Sequence, residues 1–230
     1  MNSVMQAAIL IGGRGTRLGD AVSDTPKPLL EVCGRPFVEH IMCNLRRFGF
    51  NDFLLLAGYR AEVVSQDYGP GCDLAKELDA TIRVLVEPEP LGTAGALRFA
   101  ADELQESFLL LNGDSIFDFN YLDLSHCERD GEPDGWIGRV ALLPVEQATR
   151  YGFVELKGST IAAFREKPGQ PESGLINSGV YWLRREVLDY IDATPCSLEQ
   201  AVFPQLAAAG RLVGRAYNGF FIDIGIPEDL

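Results

Sequence analysis

The sequence predicts an α/β fold of Rossmann-like type, in which a parallel-rich mixed sheet carries helices on both of its faces. Strand and helix patterns alternate through the first half of the chain, as in proteins built from strand–helix–strand units. The strands of that half are short apolar runs without polar alternation, which is typical of strands buried on both faces. With 230 residues, 47% of them hydrophobic, and no linker-like stretch, the chain is predicted to form a single domain over residues 1–230.

The elements of the first half follow from apolar spacing and turn residues. A strand is predicted over residues 6–11, directly before a glycine-rich turn. A helix is predicted over residues 37–48, because its apolar residues recur at helical spacing and Gly49 suits its end. The remaining predicted elements are strands over 53–57, 81–87 and 107–111 and a helix over 93–104.

The second half is richer in strands. Strands are predicted over residues 136–143, 151–156, 161–164, 176–183, 212–217 and 220–224, and helices over 184–191 and 198–209. The chain therefore divides into a strand–helix–strand part at about residues 1–115 and a strand-rich part at about residues 116–230.

Composition excludes several functional classes. A net charge of −13 disfavours non-specific binding of nucleic acid, and no apolar run approaches the length of a membrane span. Five cysteines without a C-x-x-C pair predict reduced side chains, neither a disulfide framework nor a zinc site, and a cytoplasmic location. The two histidines have no partner in the sequence pattern, so histidine acid–base chemistry is not predicted.

The glycine-rich turn after the first strand is the strongest candidate for a ligand site. Three glycines in four positions expose backbone N–H groups, and nearby cations favour an anionic ligand such as a polyphosphate. The glycines are Gly12, Gly13 and Gly15, and the cations are Arg14, Arg17 and Lys27. The turn lacks the Gly-Lys-Ser/Thr ending of a P-loop, and Leu18 stands where a dinucleotide fingerprint needs its third glycine.

Two aspartates are candidate metal ligands. Asp114 follows an apolar strand, at the edge of the sheet where ligands bind in open α/β folds, and Asp223 interrupts an apolar run. A carboxylate in such surroundings is costly to bury unless it is paired or bound, and Mg²⁺ takes one or two carboxylates together with water and phosphate oxygens. The alternatives are a turn or helix-capping aspartate for Asp114 and a solvated hairpin-edge aspartate for Asp223.

These features, taken together, resemble the sugar-phosphate nucleotidylyltransferases. The matching segments occur in the family's order and cover nearly the entire chain. They are GGRGTRL at 12–18, PKP at 26–28, EPEPLGTAGA at 87–96, NGD at 112–114, YGFVE at 151–155, EKP at 166–168, NSGVY at 177–181 and the segment around Asp223. The resemblance implies the nucleotide-diphospho-sugar transferase fold, with no C-terminal β-helix domain.

The resemblance also implies roles for individual residues. The nucleotide would be held by Leu10, Gly12, Gly13, Arg14, Gly15, Thr16, Glu87, Gly92 and Thr93. Arg17, Lys27 and Asp114 would be catalytic, and Asp114 and Asp223 would hold Mg²⁺. Gly152, Glu166 and Asn177 would position the sugar, and Lys167 would hold its phosphate. The phosphate oxygen of a sugar 1-phosphate would attack the α-phosphate of a nucleoside triphosphate and release pyrophosphate, a reaction that needs no enzyme base.

The base and the sugar are predicted from finer features. Glu87 only accepts hydrogen bonds, and guanine offers two adjacent donors, so GTP is favoured over pyrimidine nucleotides. Within the family, the short length and the ending FFIDIGIPED are most similar to D-glycero-α-D-manno-heptose 1-phosphate guanylyltransferases, which serve surface polysaccharide synthesis. Mannose, glucose and N-acetylmuramate 1-phosphate remain alternative substrates, and a catalytically silent nucleotide-sugar sensor is an alternative of another class. A homodimer is compatible with the resemblance.

Overall fold

A computed structural model describes residues 4–12, 25–129, 131–148, 152–165 and 172–225 of the chain. Its strands are β1 (Gln6–Leu10), β2 (Glu31–Val32), β3 (Arg35–Pro36), β4 (Asp52–Ala57), β5 (Thr81–Val86), β6 (Ser107–Asn112), β7 (Ser115–Asp118), β8 (Gly138–Ala148), β9 (Phe153–Lys157), β10 (Thr160–Arg165), β11 (Glu172–Arg184), β12 (Leu212–Ala216) and β13 (Phe220–Asp223). Its α-helices are α1 (Phe37–Arg47), α2 (Ala61–Asp67), α3 (Asp73–Glu77), α4 (Gly92–Phe99), α5 (Tyr121–His126) and α6 (Phe203–Ala208). Short 3₁₀ segments cover Lys27–Leu29, Ala101–Glu103 and Arg185–Tyr190, and a π-helical turn covers Leu198–Val202.

Within the described residues, nine strands form one mixed sheet in the order β5-β4-β1-β6-β11-β8-β12-β10-β9. The strands of the first half, β5, β4, β1 and β6, are parallel, as predicted from their apolar runs. The long strand β11 runs antiparallel to both β6 and β8 and joins the two halves of the chain into a single sheet. The predicted α/β fold with a mixed sheet is confirmed.

Helices cover both faces of this sheet because each central strand is apolar on both sides. In β1, Ala7 and Ile9 pack into one hydrophobic layer with α1, α2, α3 and α5, while Ala8 packs into the opposite layer with α4 and α6. Burial of an aliphatic side chain contributes about 1.5–3 kcal/mol, so two such layers hold the strand ends rigidly in place. Within the described residues, no helix combines the length and the apolar character needed to cross a membrane.

Several predicted boundaries differ from the structure. The helix predicted over 93–104 is α4, which begins at Gly92 and ends at Phe99 before a 3₁₀ turn. The helix predicted over 198–209 begins as a π-helical turn and becomes α-helical at Phe203. The strand predicted over 136–143 is β8, which begins and ends later along the chain. The short strand β7 was not predicted, because four residues give too little pattern to distinguish a strand from a loop.

A buried ion cluster ties α5 and the following loop to the sheet. Glu132 accepts hydrogen bonds from Arg215 on β12, at 2.6 Å, and from Arg139 on β8, at 3.0 Å. The side chain of Glu132 is 5% exposed, and each arginine side chain is 1% exposed. Burial raises the pKa of Glu132, but its bonds to the two arginines outweigh that effect and hold the pKa below its usual range.

We expect Glu132→Gln to lower the free energy of unfolding by about 3–5 kcal/mol, because it removes the charge that two buried guanidinium groups share, and Asp123, at 3.7 Å from Arg215, compensates only one of them. The depressed pKa means that the contribution of Glu132 is complete above the pKa of an unfolded glutamate, about 4.3, and is lost as the pH falls through the lower folded value. Urea unfolding at several pH values should therefore show a difference from wild type that shrinks below about pH 4. The same substitution at exposed Glu62 is the control, and an equal loss there would contradict the role of the cluster.

Candidate active site

The carboxyl ends of the parallel strands open into a cavity of about 670 Å³, within the size range of small-molecule sites. It lies where ligands bind in open α/β sheets. Among the residues predicted to act in the site, those that line the cavity are Leu10, Gly12, Lys27, Glu87, Gly92, Thr93 and Asp114. The predicted residues Gly13, Arg14, Gly15, Thr16, Arg17, Glu166 and Lys167 lie outside the described residues.

Glu87 forms one end of the cavity. It follows β5, is partly buried, and accepts a hydrogen bond from the backbone N–H of Leu91 at 3.2 Å. Its two carboxylate oxygens lie 3.5 Å and 3.4 Å from the positions that a Cβ atom would take on Gly12 and Gly58. Burial raises the pKa of Glu87, and the Leu91 N–H offsets part of that rise. Glu87 therefore presents a desolvated acceptor to the space beside the turns that follow β1 and β4.

Gly12 is required by the close approach of those two turns. A Cβ atom on Gly12 would lie 3.1 Å from the backbone nitrogen of Gly58, a separation tighter than most real Cβ contacts. The absence of a side chain leaves the cavity floor made of backbone, which allows a flat or charged ligand group to come close.

Backbone hydrogen bonds join the start of α4 to Cys196, which lies just before the π-helical turn. Gly92 has a φ of +76°, and a Cβ atom there would lie 2.4 Å from the carbonyl oxygen of Cys196. That oxygen accepts a hydrogen bond from the N–H of Ala94 at 2.9 Å, and the N–H of Cys196 donates to the Leu91 carbonyl at 2.8 Å. These bonds hold Thr93 at the cavity wall, where its hydroxyl donates to Glu199 at 2.9 Å.

The two candidate metal ligands come together through a two-stranded ribbon. Strands β7 and β13 pair antiparallel, with Ser115 opposite Asp223, and the N–H of Ile224 donates to the Asp114 carbonyl at 2.9 Å. Asp223 Oδ1, Asp114 Oδ2 and Lys27 Nζ lie 2.7, 3.4 and 3.5 Å from the position of a Cβ atom on Gly225. The 3₁₀ segment Lys27–Leu29 buries Lys27 at this point. Two carboxylates and one ammonium group thus face a common space.

This cluster fits a divalent cation together with phosphate. Within the described part of the chain, no group of three His, Cys, Asp or Glu side chains that could hold a metal ion is assembled. Mg²⁺ is usually bound by one or two carboxylates, with water and phosphate oxygens as its other ligands. Asp114 and Asp223 supply that donor set, and Lys27 supplies a cation for phosphate oxygens.

The two described residues predicted to contact the sugar lie in the strand-rich half. Asn177 is partly buried on β11, and its amide donates to the hydroxyl of Tyr181 at 2.9 Å and accepts from the Gly179 N–H at 3.0 Å. A Cβ atom on Gly152 would lie 2.6 Å from the Arg165 carbonyl oxygen, so Gly152 allows close packing against β10. The described lining of the cavity includes neither residue.

Glu199 is a cavity residue that sequence reasoning missed. It lies in the π-helical turn and was treated as an ordinary residue of the helix predicted over 198–209. An acidic residue in the first turn of a helix is common, so its type and position carried no signal. Its proximity to the cavity follows from the bonds that hold the segment against α4, which no local pattern reveals.

Comparisons with known proteins identify the family of the chain. The family described as Nucleotidyl transferase matches residues 6–230. The chain is 36% identical over 230 residues to the mannose-1-phosphate guanylyltransferase catalytic subunit beta of Xenopus tropicalis, covering 98% of this chain and 62% of that protein. It is 37% identical over 231 residues to the protein of the same name from Dictyostelium discoideum, with the same coverage. The chain thus spans less than two thirds of the length of these relatives.

Solved structures show the same architecture. HddC from Yersinia pseudotuberculosis superposes with a TM-score of 0.83 at 28% identity, over 98% of this chain and 96% of that one. The structure of HddC in complex with GMP-PN gives a TM-score of 0.82 at the same identity and coverage. The family match covers nearly all of the sequence, and the fold agrees with it. The chain therefore belongs to the nucleotidyl transferase family.

Proposed function

We propose that this protein is a Mg²⁺-dependent sugar 1-phosphate guanylyltransferase that makes a GDP-sugar and releases pyrophosphate. The observation that carries the proposal is the convergence of Asp114, Asp223 and Lys27 within 3.5 Å of one point beside the cavity that Glu87 also lines. In this arrangement Glu87 can accept hydrogen bonds from the base of a nucleoside triphosphate, and the cluster of charges can bind its phosphates through a metal ion. The names of the guanylyltransferase relatives support this reading.

Guanine fits the Glu87 end of the cavity for a chemical reason. Guanine presents N1–H and the 2-amino group side by side, and a carboxylate can accept from both. Pyrimidines offer a mixed donor–acceptor edge, for which a carboxylate lacks the donor. The GMP-PN bound to HddC, a structurally similar protein, supports a guanine nucleotide.

Catalysis would consist of alignment and charge neutralisation. The attacking oxygen of a sugar 1-phosphate is already an anion at neutral pH, so no side chain has to remove a proton. Lys27 would contact phosphate oxygens, and Arg17 would do the same at the reacting α-phosphate. The rest of the triphosphate would be held by the turn residues Gly13, Arg14, Gly15 and Thr16. Asp114 and Asp223 would hold Mg²⁺, which when bound neutralises phosphate charge and orients the phosphate oxygens.

The sugar side of the proposal rests on the second half of the chain. We propose that residues 1–115 serve mainly the nucleotide and residues 116–230 mainly the sugar phosphate, with Gly152, Glu166, Lys167 and Asn177 in the roles implied by the family resemblance. The named relatives favour mannose 1-phosphate. D-glycero-α-D-manno-heptose 1-phosphate, favoured by the sequence motifs, shares the manno ring configuration and is the second candidate. Cytoplasmic location, a role in surface polysaccharide and a homodimer stay predictions.

A substrate matrix tests the function directly. Pyrophosphate release should be measured with each nucleoside triphosphate against mannose, heptose, glucose and N-acetylmuramate 1-phosphates, with and without Mg²⁺. We expect turnover to require Mg²⁺ and to be fastest with GTP and a manno-configured sugar. Binding of GTP or a GDP-sugar without any turnover would contradict the proposal and favour a nucleotide-sugar sensor.

Glu87→Gln tests how the base is read. We expect the ratio of kcat/KM for GTP to that for UTP to fall at least about tenfold, because an amide loses one of the two acceptors for guanine and gains a donor for a pyrimidine. Glu62→Gln is the control, since Glu62 is exposed on α2 and does not belong to the described lining of the cavity. An unchanged ratio in Glu87→Gln, or an equal change in the control, would show that Glu87 does not select the base.

A further inference from the structure

Glu199 holds an acceptor at the cavity wall that the proposed chemistry does not yet use. It is partly buried in the π-helical turn Leu198–Val202, a kind of distortion that is frequent at functional sites. The hydroxyls of Thr93 and Ser197 each donate to its Oε2 at 2.9 Å. The Thr93 hydroxyl itself accepts from the N–H of Leu198 at 2.8 Å, so this side of the carboxylate is firmly placed.

The other oxygen of Glu199 is less fully used. Among the described residues, its hydrogen-bond partner is the hydroxyl of Tyr181, at 3.4 Å, which is long for a hydrogen bond between oxygens. A carboxylate offers about four lone-pair directions, so Oε1 keeps capacity for another donor. The direction of this contact is fixed, because Tyr181 is fully buried and burial raises the pKa of its phenol well above the usual value. Tyr181 therefore donates to Glu199 while it accepts from Asn177 at 2.9 Å.

The charge of Glu199 limits what can bind there. A carboxylate repels the phosphates of either substrate, so the phosphates belong near Lys27 and the aspartates instead. Guanine is already assigned to Glu87, on the loop before α4, whereas Glu199 contacts Thr93 within α4. The remaining part of the two substrates is the sugar, which is uncharged and rich in O–H donors.

We infer that Glu199 binds a hydroxyl group of the sugar and selects sugars that carry that hydroxyl in the matching position. The inference rests on the proposed function. Tyr181 is a positioning residue in this arrangement, because its hydroxyl contacts the carboxylate, and Asn177 acts through Tyr181 by donating a hydrogen bond to that hydroxyl. Thr93 has the same effect from the opposite side, so the residue predicted to hold the nucleotide also orients the sugar-binding carboxylate.

Glu199→Gln tests this inference with little change of shape. We expect the KM for the preferred sugar 1-phosphate to rise about 10- to 100-fold, because a bond to a charged acceptor is replaced by a weaker one, and the KM for GTP to stay within about twofold. Glu186→Gln is the matched control, since Glu186 is exposed on the 3₁₀ segment Arg185–Tyr190 and does not belong to the described lining of the cavity. Thermal unfolding of each variant shows whether the fold is kept, and Glu199→Asp, which retains the charge at a shorter reach, should also raise the sugar KM.

Deoxy sugars give the decisive measurement. Wild-type enzyme should discriminate at least about tenfold against one monodeoxy form of its sugar 1-phosphate, and Glu199→Gln should lose discrimination at that position only. If the wild-type enzyme turns over and Glu199→Gln discriminates among the deoxy sugars as the wild type does, the inference about Glu199 is overturned and the proposed function stays intact. Failure of the wild type to release pyrophosphate with any sugar 1-phosphate would overturn the proposed function and this inference with it.

Discussion

Asp114→Asn is expected to lower kcat/KM for pyrophosphate release about 10³-fold without a comparable loss of stability. Asparagine keeps the shape of the side chain, but it is neutral and binds Mg²⁺ weakly, so charge neutralisation worth several kcal/mol is lost at the reacting phosphates. Each 1.36 kcal/mol of barrier corresponds to a tenfold change in rate, which gives the expected magnitude. Initial rates at increasing Mg²⁺ measure the effect, and part of the loss should be recovered at high metal concentration.

The matched control lies in the same ribbon. Asp118 ends β7 and faces solvent with an Arg47 contact at 3.8 Å, so Asp118→Asn makes the same chemical change away from the cavity. It should leave kcat/KM within about twofold, as exposed ion pairs contribute little. Near-normal activity of Asp114→Asn, or a loss equal to that of the control, would remove Asp114 from the proposed metal site.

The pairing of Asp114 with Asp223 shows what sequence could and could not predict. Both were singled out because a carboxylate in apolar surroundings is costly unless something binds it. Their meeting depends on the pairing of β7 with β13, and β7 is too short to be recognised from its own residues. Sequence therefore predicted the members of the acidic pair, whereas the ribbon that assembles it is visible only in the structure.

The glycines of the site also show what the sequence predicts and what only the structure reveals. The glycine-rich turn was predicted from its residues, yet Gly12 is required because a Cβ atom there would lie 3.1 Å from the backbone nitrogen of Gly58, at the end of a different strand. Gly92 is likewise required by the carbonyl of Cys196 and by its positive φ. The need for glycine at these positions arises from contacts between segments that are distant in the sequence. Glu199 was missed because its place in the cavity also depends on such a contact. Local patterns predict the parallel strands of the first half to within one residue at each end, while the packing of loops against each other sets the finer geometry of the site.

Gly225→Ala is the second change with a large expected effect, because it adds a single methyl group to the charge cluster. That methyl would lie 2.7 Å from Asp223 Oδ1, too close for real contacts, and 3.4 and 3.5 Å from Asp114 and Lys27. Asp223 must then move, which also disturbs its 2.7 Å hydrogen bond from the Gly225 N–H. We expect kcat/KM to fall about 10²-fold, since misplacing a reacting group by about 1 Å has that cost.

The control for Gly225→Ala separates this steric effect from the general effect of replacing glycine. Gly69 has nothing within 4 Å of its Cβ position and, like Gly225, no positive φ, so Gly69→Ala should leave both activity and stability close to wild type. If Gly225→Ala retains full activity with unchanged Mg²⁺ dependence, the point shared by Asp114, Asp223 and Lys27 is not where the phosphates react. If it loses activity while Gly69→Ala does not, the loss follows from displacing the charges that the reaction requires, because the two substitutions differ mainly in what surrounds the added methyl group.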